Sequence, residues 1–227
     1  MKYQPHVFQG DTQPKIETRY AFWNKALKTL NQRGWRKFNV LALAGPDVGD
    51  FKTLTALGVP YTNITLAERQ KSTFHKAEKS LRNLAEGEDR FLSCLQHCDV
   101  KDVKGKFHVY HFDFCGYINP NMVKLMHETI GKTKATNSPL VGVGISMLRD
   151  GVVKRLTKGL GLSRPQERVY ALTTWMNAQE TGKRYWVPTH VFYYYARVPM
   201  LYVLMRKVNK KPKKILFPKV QAIGVKK

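Results

Sequence analysis

Apolar positions fall into two kinds of run that take turns along the chain. Ile16, Tyr20, Trp23, Leu27 and Leu30 recur every three or four residues, the spacing of one helix face. Pro14 precedes the pattern and Gly34 ends it, so a helix is expected over 15–33. FNVLALAG, 38–45, is a short apolar run closed by glycine, the pattern of a buried strand. A helix over 50–58 closed by Gly58, a strand over 61–68 and a charged helix over 69–85 come next. That last helix places Phe74, Ala77, Leu81 and Leu84 on one face. FLSCLQ, 91–96, has a weaker strand pattern, whereas KFHVYHFDF, 106–114, has strong strand composition. Pro120 can open the following helix and Gly131 ends it. PLVGVGISML, 139–148, reads as a strand, and 152–160 and 165–181 as helices. VFYYYA, 191–196, and MLYVLMRKV, 200–208, flank Arg197-Val198-Pro199 as a hairpin.

This alternation predicts an α/β fold: a three-layer sandwich with helices on both faces of a mostly parallel seven-stranded sheet, ending in an antiparallel hairpin. The length of 227 residues suits one domain, expected over 15–208. An arm at 1–14 would precede it, a linker-like stretch falls at 131–139, and a basic tail at 209–227 would follow. In such sheets ligands bind beyond the carboxyl ends of the strands, near the point where strand order reverses. The residues after each strand are therefore the candidates for chemistry.

Composition narrows the class. Eleven Phe, eleven Tyr and four Trp argue against a disordered chain. No apolar run approaches a membrane span, and the N-terminal MKYQPHVFQGDTQPK has no apolar core of a secretory signal. Cys94, Cys98 and Cys115 form neither a disulfide framework nor a zinc spacing, so no metal is expected and a cytoplasmic setting is the default. Thirty-nine Lys and Arg against sixteen Asp and Glu give a net charge of +23. Residues 151–227 carry +15 of it, with Glu167 and Glu180 their acids. Self-repulsion on that scale favours an anionic partner, with nucleic acid ahead of a membrane surface.

After the first strand comes Ala44-Gly45-Pro46-Asp47-Val48-Gly49-Asp50. Gly45 and Gly49 let the backbone turn and approach a ligand, although Gly-Pro-Asp is also a plain turn. Glu68, 23 residues past Gly45, ends the second strand, where an acid can accept hydrogen bonds from ribose hydroxyls or simply favour the N-terminus of the next helix. Asp99, after the third strand, could take an exocyclic amine or be an ordinary loop acid. After the fourth strand come Asp113-Phe114-Cys115-Gly116-Tyr117-Ile118-Asn119-Pro120. Asp113 is placed to orient or deprotonate an amine; Phe114 and Tyr117 could stack on a base or pack; Asn119 suits a helix cap. Cys115 reads as a buried thiol rather than a nucleophile.

Taken together, the chain resembles the class I S-adenosylmethionine-dependent methyltransferases over roughly residues 35–208. VLALAGPDVGD is similar to their first motif, around the methionine part of the cofactor. The resemblance assigns Ala44, Gly45, Pro46, Gly49, Glu68, Asp99 and Phe114 to S-adenosylmethionine. HFDFCGYINP is similar to their fourth motif, which would set Asp113 and Tyr117 at the methyl acceptor. The terminal hairpin is similar to the family's last strand pair. Two departures stand out. Pro46 and Val48 interrupt the GxGxG form, and Asp113-Phe114-Cys115-Gly116 is closer to an Asp-Pro-Phe-Gly form than to Asn/Asp-Pro-Pro-aromatic.

The basic third reads as a substrate surface. Arg149, Lys154, Arg155, Lys158, Arg164, Arg168, Lys183 and Arg184 mix with Tyr170, Trp175, Tyr185 and Trp186, a combination that suits phosphates and bases. Lys210, Lys211, Lys213 and Lys214 suit a flexible phosphate-binding tail. The expected function is methyl transfer to a nucleic acid, RNA ahead of DNA. The alternative is a methyltransferase-like module that has lost catalysis and grips nucleic acid. A dinucleotide oxidoreductase would need the GxGxxG turn that is missing, and association with a protein partner or a second copy stays open.

Overall fold

The computed structural model describes residues 12–30, 37–114, 116–133, 139–148, 151–182, 184–195, 198–215 and 217–223. Its apolar runs form the middle of one eight-stranded sheet. In chain order the strands are β1 (Val40–Leu43), β2 (Ile64–Glu68), β3 (Leu95–His97), β4 (Val109–Asp113), β5 (Leu140–Ser146), β6 (Tyr185–Tyr195), β7 (Pro199–Val208) and β8 (Val220–Ile223). The helices between them are α1 (Gln13–Leu30), α2 (Gly49–Ala56), α3 (Lys71–Leu84), α4 (Pro120–Lys132), α5 (Gly151–Thr157) and α6 (Arg164–Ala178).

Spatial order is β3-β2-β1-β4-β5-β7-β6-β8. β1 to β5 pair in parallel, and β7 lies antiparallel to both β5 and β6. The order reverses between β1 and β4, the point beyond whose carboxyl ends sheets of this kind bind their ligands. One face carries α1, α2 and α3 through Phe22, Trp23, Leu27, Phe51, Leu54 and Leu81, all buried. The other carries α4, α5 and α6 through Val123, Met126, Val153, Leu172 and Met176. Each such side chain contributes about 1.5–3 kcal/mol on burial.

Two features differ from the expectation of seven strands and a free tail. β8 falls inside the stretch read as tail and pairs parallel with the outer edge of β6. Phe217, Val220 and Ile223 pack partly against the two cores, so this segment is docked. Four residues between polar neighbours carry too little pattern to announce a strand; the open edge of β6 supplies the partner. β6 also starts six residues before the expected Val191. Pro188 hides that start, and a register shift between Pro188 and His190 absorbs its missing N–H.

Glycines on β5 let α1 approach the sheet. A Cβ on Gly142 would strike the Phe22 ring, and one on Gly144 would strike the Asp113 carboxylate and come within 2.7 Å of Tyr202 Cε1. The first helix therefore crosses the face of the sheet over β6, β7 and β8, reaches β4 and β5 through Phe22 and Lys15, and has its amino end at the carboxyl edge.

Candidate active site

Strand register sets the site. β1 pairs Ala42 with His111 of β4 and with Leu66 of β2, which puts Ala44, two residues on, level with Asp113 and Glu68. Glu68 in turn pairs with His97, Asp113 with Gly144, and Gly144 with Tyr202. Neighbouring strands are about 4.8 Å apart, so the glycine loop has an acid on the strand at either side.

The loop itself is tied down. The Ala44 N–H donates to Ala67 O (2.9 Å), the Val48 N–H to Gly45 O (3.1 Å), and the Ser80 hydroxyl of α3 to Pro46 O (2.8 Å). Gly45 faces open space: a Cβ there would meet nothing within 4 Å. Gly49 opens α2. Val48, just before it, is buried at φ 47°, ψ 40°, the left-handed region that favours glycine. The interruption of the glycine motif is thus absorbed by a valine in a glycine-like conformation.

Glu68 is half-buried, and its Oε1 accepts the Gln70 N–H at 2.7 Å. Burial raises its pKa, partly offset by backbone N–H groups of Gln70 and Arg69. Asp99 caps a short turn by accepting the Lys101 N–H (3.2 Å). Leu43, Cys98 and Phe114 are half-buried at the ends of β1, β3 and β4 and pack on the same core. Leu43 and Cys98 escaped the sequence reading because nothing in their pattern separates them from core. Burial, then Asp102 and Asp99, raise the Cys98 pKa, so it stays a thiol. Cys115 lies outside the described residues.

Asp113 differs from a free general base. Its Oδ2 accepts the Tyr202 hydroxyl at 2.8 Å and lies 3.4 Å from Lys15 Nζ on α1. Burial would raise its pKa, but Lys15, then His111 and Tyr202, outweigh it and hold the group far below the usual carboxylate range. Of the two roles read from the sequence, orientation fits this ionised, paired group and proton acceptance does not. Tyr117 stands in the loop after β4, 41% exposed, and can offer a flat face to an incoming base.

Beneath the loop lies a buried polar cluster that was almost illegible in the sequence. Asp50 of α2 accepts hydrogen bonds from Trp23 Nε1 (2.7 Å), sits 3.3 Å from Arg19 Nε and 2.9 Å from His111 Nδ1. Burial would raise the Asp50 pKa; His111, Arg19 and Trp23 together lower it. This fastens the helix that follows the glycine loop to α1. The adjacency of Asp50 to Gly49 was the one available signal.

The expected phosphate-binding residues do not form one wall. Lys154, Arg155 and Lys158 on and after α5, and Arg164 at the start of α6, are exposed and belong to the carboxyl edge. Exposed Leu148, Val152, Leu156 and Leu160 accompany them. Arg184 precedes β6, and Lys210, Lys211, Lys213 and Lys214 follow β7; these lie toward the opposite, amino edge. Arg168 is corrected outright. It is 5% exposed and donates to the Leu148 carbonyl, so it braces the loop after β5 rather than facing a phosphate. Arg149 and Lys183 lie outside the described residues. Among the described residues no group of His, Cys, Asp or Glu could hold a metal ion, and no helix is long and apolar enough to cross a membrane.

No family model matches the sequence, nor does any curated protein sequence. Solved structures do match the fold. The magnesium protoporphyrin IX methyltransferase of Synechocystis PCC 6803, solved with bound SAM, superposes with a TM-score of 0.57 at 6% identity, over 88% of this chain and 86% of its own. The plantazolicin methyltransferase BpumL, solved with a desmethyl substrate analogue and SAH, gives 0.54 at 8% identity, over 87% and 86%. The chain therefore has the class I methyltransferase fold, and its neighbours act on varied substrates.

Proposed function

We propose that the chain is an S-adenosylmethionine-dependent methyltransferase whose acceptor is a nucleic acid. The observation that carries the reading is the single row of Ala44, Glu68 and Asp113 on adjacent strands at the point where strand order reverses. The residues fit the cofactor. Open space at Gly45 admits its chain, and Glu68 has lone pairs for a ribose diol beyond the Gln70 N–H. Asp99 and the half-buried apolar side chains of Leu43, Cys98 and Phe114 suit an adenine. Bound there, the cofactor would supply an electrophilic methyl group for in-line displacement, the bond from acceptor to methyl forming as the sulfur–methyl bond breaks and S-adenosylhomocysteine leaves.

The chain's own work is positioning. Asp113, ionised at any working pH, orients an acceptor N–H without taking its proton, which leaves to water after transfer. Lys15 and Tyr202 fix the carboxylate, and Tyr117 offers a stacking face. Exposed Lys154, Arg155, Lys158 and Arg164 hold phosphates beside the mouth.

Calorimetry with S-adenosylmethionine tests the first half. Binding that Glu68→Ala weakens at least tenfold is expected; no heat at millimolar cofactor removes the reading. Transfer of labelled methyl to RNA or DNA tests the second half. A second reading, a nucleic-acid-binding module without catalysis, draws on Val48 in the glycine loop and on the pinned Asp113. Nucleic-acid binding with no cofactor heat and no transfer would select it.

A further inference from the structure

The strand directions put a second basic surface at the far pole from the proposed active site. β5 and β6 run toward the carboxyl edge and β7 runs back, so Val208 and Tyr185 pair at the amino edge. Lys210 to Lys214 follow at once, and Arg184 stands beside them. Hydrogen bonds from Asn39 Nδ2 to Lys106 O (3.1 Å) and from the His108 N–H to Asn39 O (2.9 Å) place Lys37 and Lys106 along the same edge. The bond between Tyr110 Oη and Thr133 Oγ1 (2.7 Å) brings in Lys132 at the end of α4. All of these cations are exposed.

Among the described residues the acids close to these lysines are engaged elsewhere: Glu128, one turn before Lys132, pairs with Lys124 Nζ (4.0 Å). Glu180, the acid next to this stretch, is taken internally by Lys207 Nζ (2.7 Å), Trp186 Nε1 (2.6 Å) and His127 Nε2 (3.2 Å). Glu88 and Asp89 lie on the β3 side, paired with Arg90 and Arg82. The edge is thus polar in charge, cationic from β1 to β6. Like charges so gathered repel, and a polyanion relieves that repulsion.

We infer that this amino-edge surface is a second nucleic-acid contact, which grips the phosphate backbone while the opposite pole receives the acceptor. A phosphate backbone fits better than a lipid surface. Membrane binding calls for apolar side chains that insert between headgroups. Among the described residues the exposed large apolar groups near the cations, such as Leu148, Val152 and Leu156, sit at the carboxyl edge, and none lies on the β1-to-β6 part of the amino edge. The span also suits a nucleic acid. The ten residues of β7 cover roughly 33 Å. At about 3 Å per step that is about ten base pairs.

The inference rests on the nucleic-acid half of the proposed function and not on methyl transfer, so it is tested without cofactor. Binding of RNA duplexes of about 25 and about six base pairs is measured against salt for the intact chain and for K210E/K211E/K213E/K214E, with melting curves as the folding control. The long duplex engages both poles. The wild type should bind it at least 100-fold tighter than the short one, by effective concentration. The variant should lose at least tenfold of that ratio and about three units of the salt slope. An unchanged ratio and slope in the folded variant would overturn the inference and leave the active-site reading intact. So would a wild type that gathers on phosphatidylserine vesicles and ignores both duplexes. Length-dependent binding in a protein that transfers no methyl group would keep the inference and remove the methyl-transfer reading.

Discussion

Val48 concentrates the tension in the glycine loop. A branched side chain at φ 47° costs about 1–2 kcal/mol, yet its burial at 1% exposure returns about 2 kcal/mol or more. Val48→Gly should relieve the first and lose the second, a net destabilisation of about 1 kcal/mol by denaturant titration. Cofactor affinity should fall too, as the loop gains freedom. Asp113 gives a pH-dependent outcome. Its folded pKa lies below the unfolded value of about 3.9, so its contribution is present above that pH and is lost as pH falls toward the folded value. Asp113→Asn should cost about 3 kcal/mol near neutrality, because the half-buried Lys15 would lose the carboxylate that faces it. The gap between wild type and variant should narrow steadily below about pH 4. A gap constant from pH 7 to pH 3 would show that the ion pair contributes nothing.

β5 and β8 show two ways an element depends on its neighbours. Gly144 lies in mid-sheet, where the backbone cannot yield, and a Cβ would meet Asp113 and Tyr202. Gly144→Ala should therefore destabilise by about 2 kcal/mol through overpacking, and should also disturb the Asp113 carboxylate. At β8, removing residues 209–227 strips three half-buried side chains, Phe217, Val220 and Ile223, at about 1 kcal/mol each. The melting temperature should drop by roughly 9 °C; a free tail would leave it unchanged. Elements with a strong period were legible in the sequence: α1, β4, β5 and β7 fall within a few residues of their expected places. β8 and the start of β6 were not, since one is defined by the edge it pairs with and the other is interrupted by Pro188. The same holds for the site. Gly45, Glu68 and Asp113 could be read because position after a strand is a local property. Lys15, Arg19 and Tyr202 could not, because they reach the acids from α1 and β7, and a sequence presents Lys and Arg as solvated.

Over the whole molecule the question is what an excess of +23 does. Read along the chain, the charge belongs to the last third and would build one wall beside the cofactor. In the folded protein the hairpin carries Lys210 to Lys214 to the pole opposite Lys154, Arg155 and Lys158, so under the proposed function the charge would bracket the acceptor's path from both ends. A bracketed path makes affinity steeply dependent on salt without making it dependent on sequence, because phosphate contacts position and base contacts specify. If about six phosphates are neutralised, the logarithm of affinity should fall with a slope near −5 against the logarithm of salt, or about 10³ between 50 and 200 mM. Under the proposed function, methyl transfer in single-turnover conditions at saturating protein should lose far less, since Asp113 and Tyr117 would act after docking. An equal loss in binding and in the saturated rate would mean that the cations take part in the chemical step, and the separation of grip from chemistry would fail.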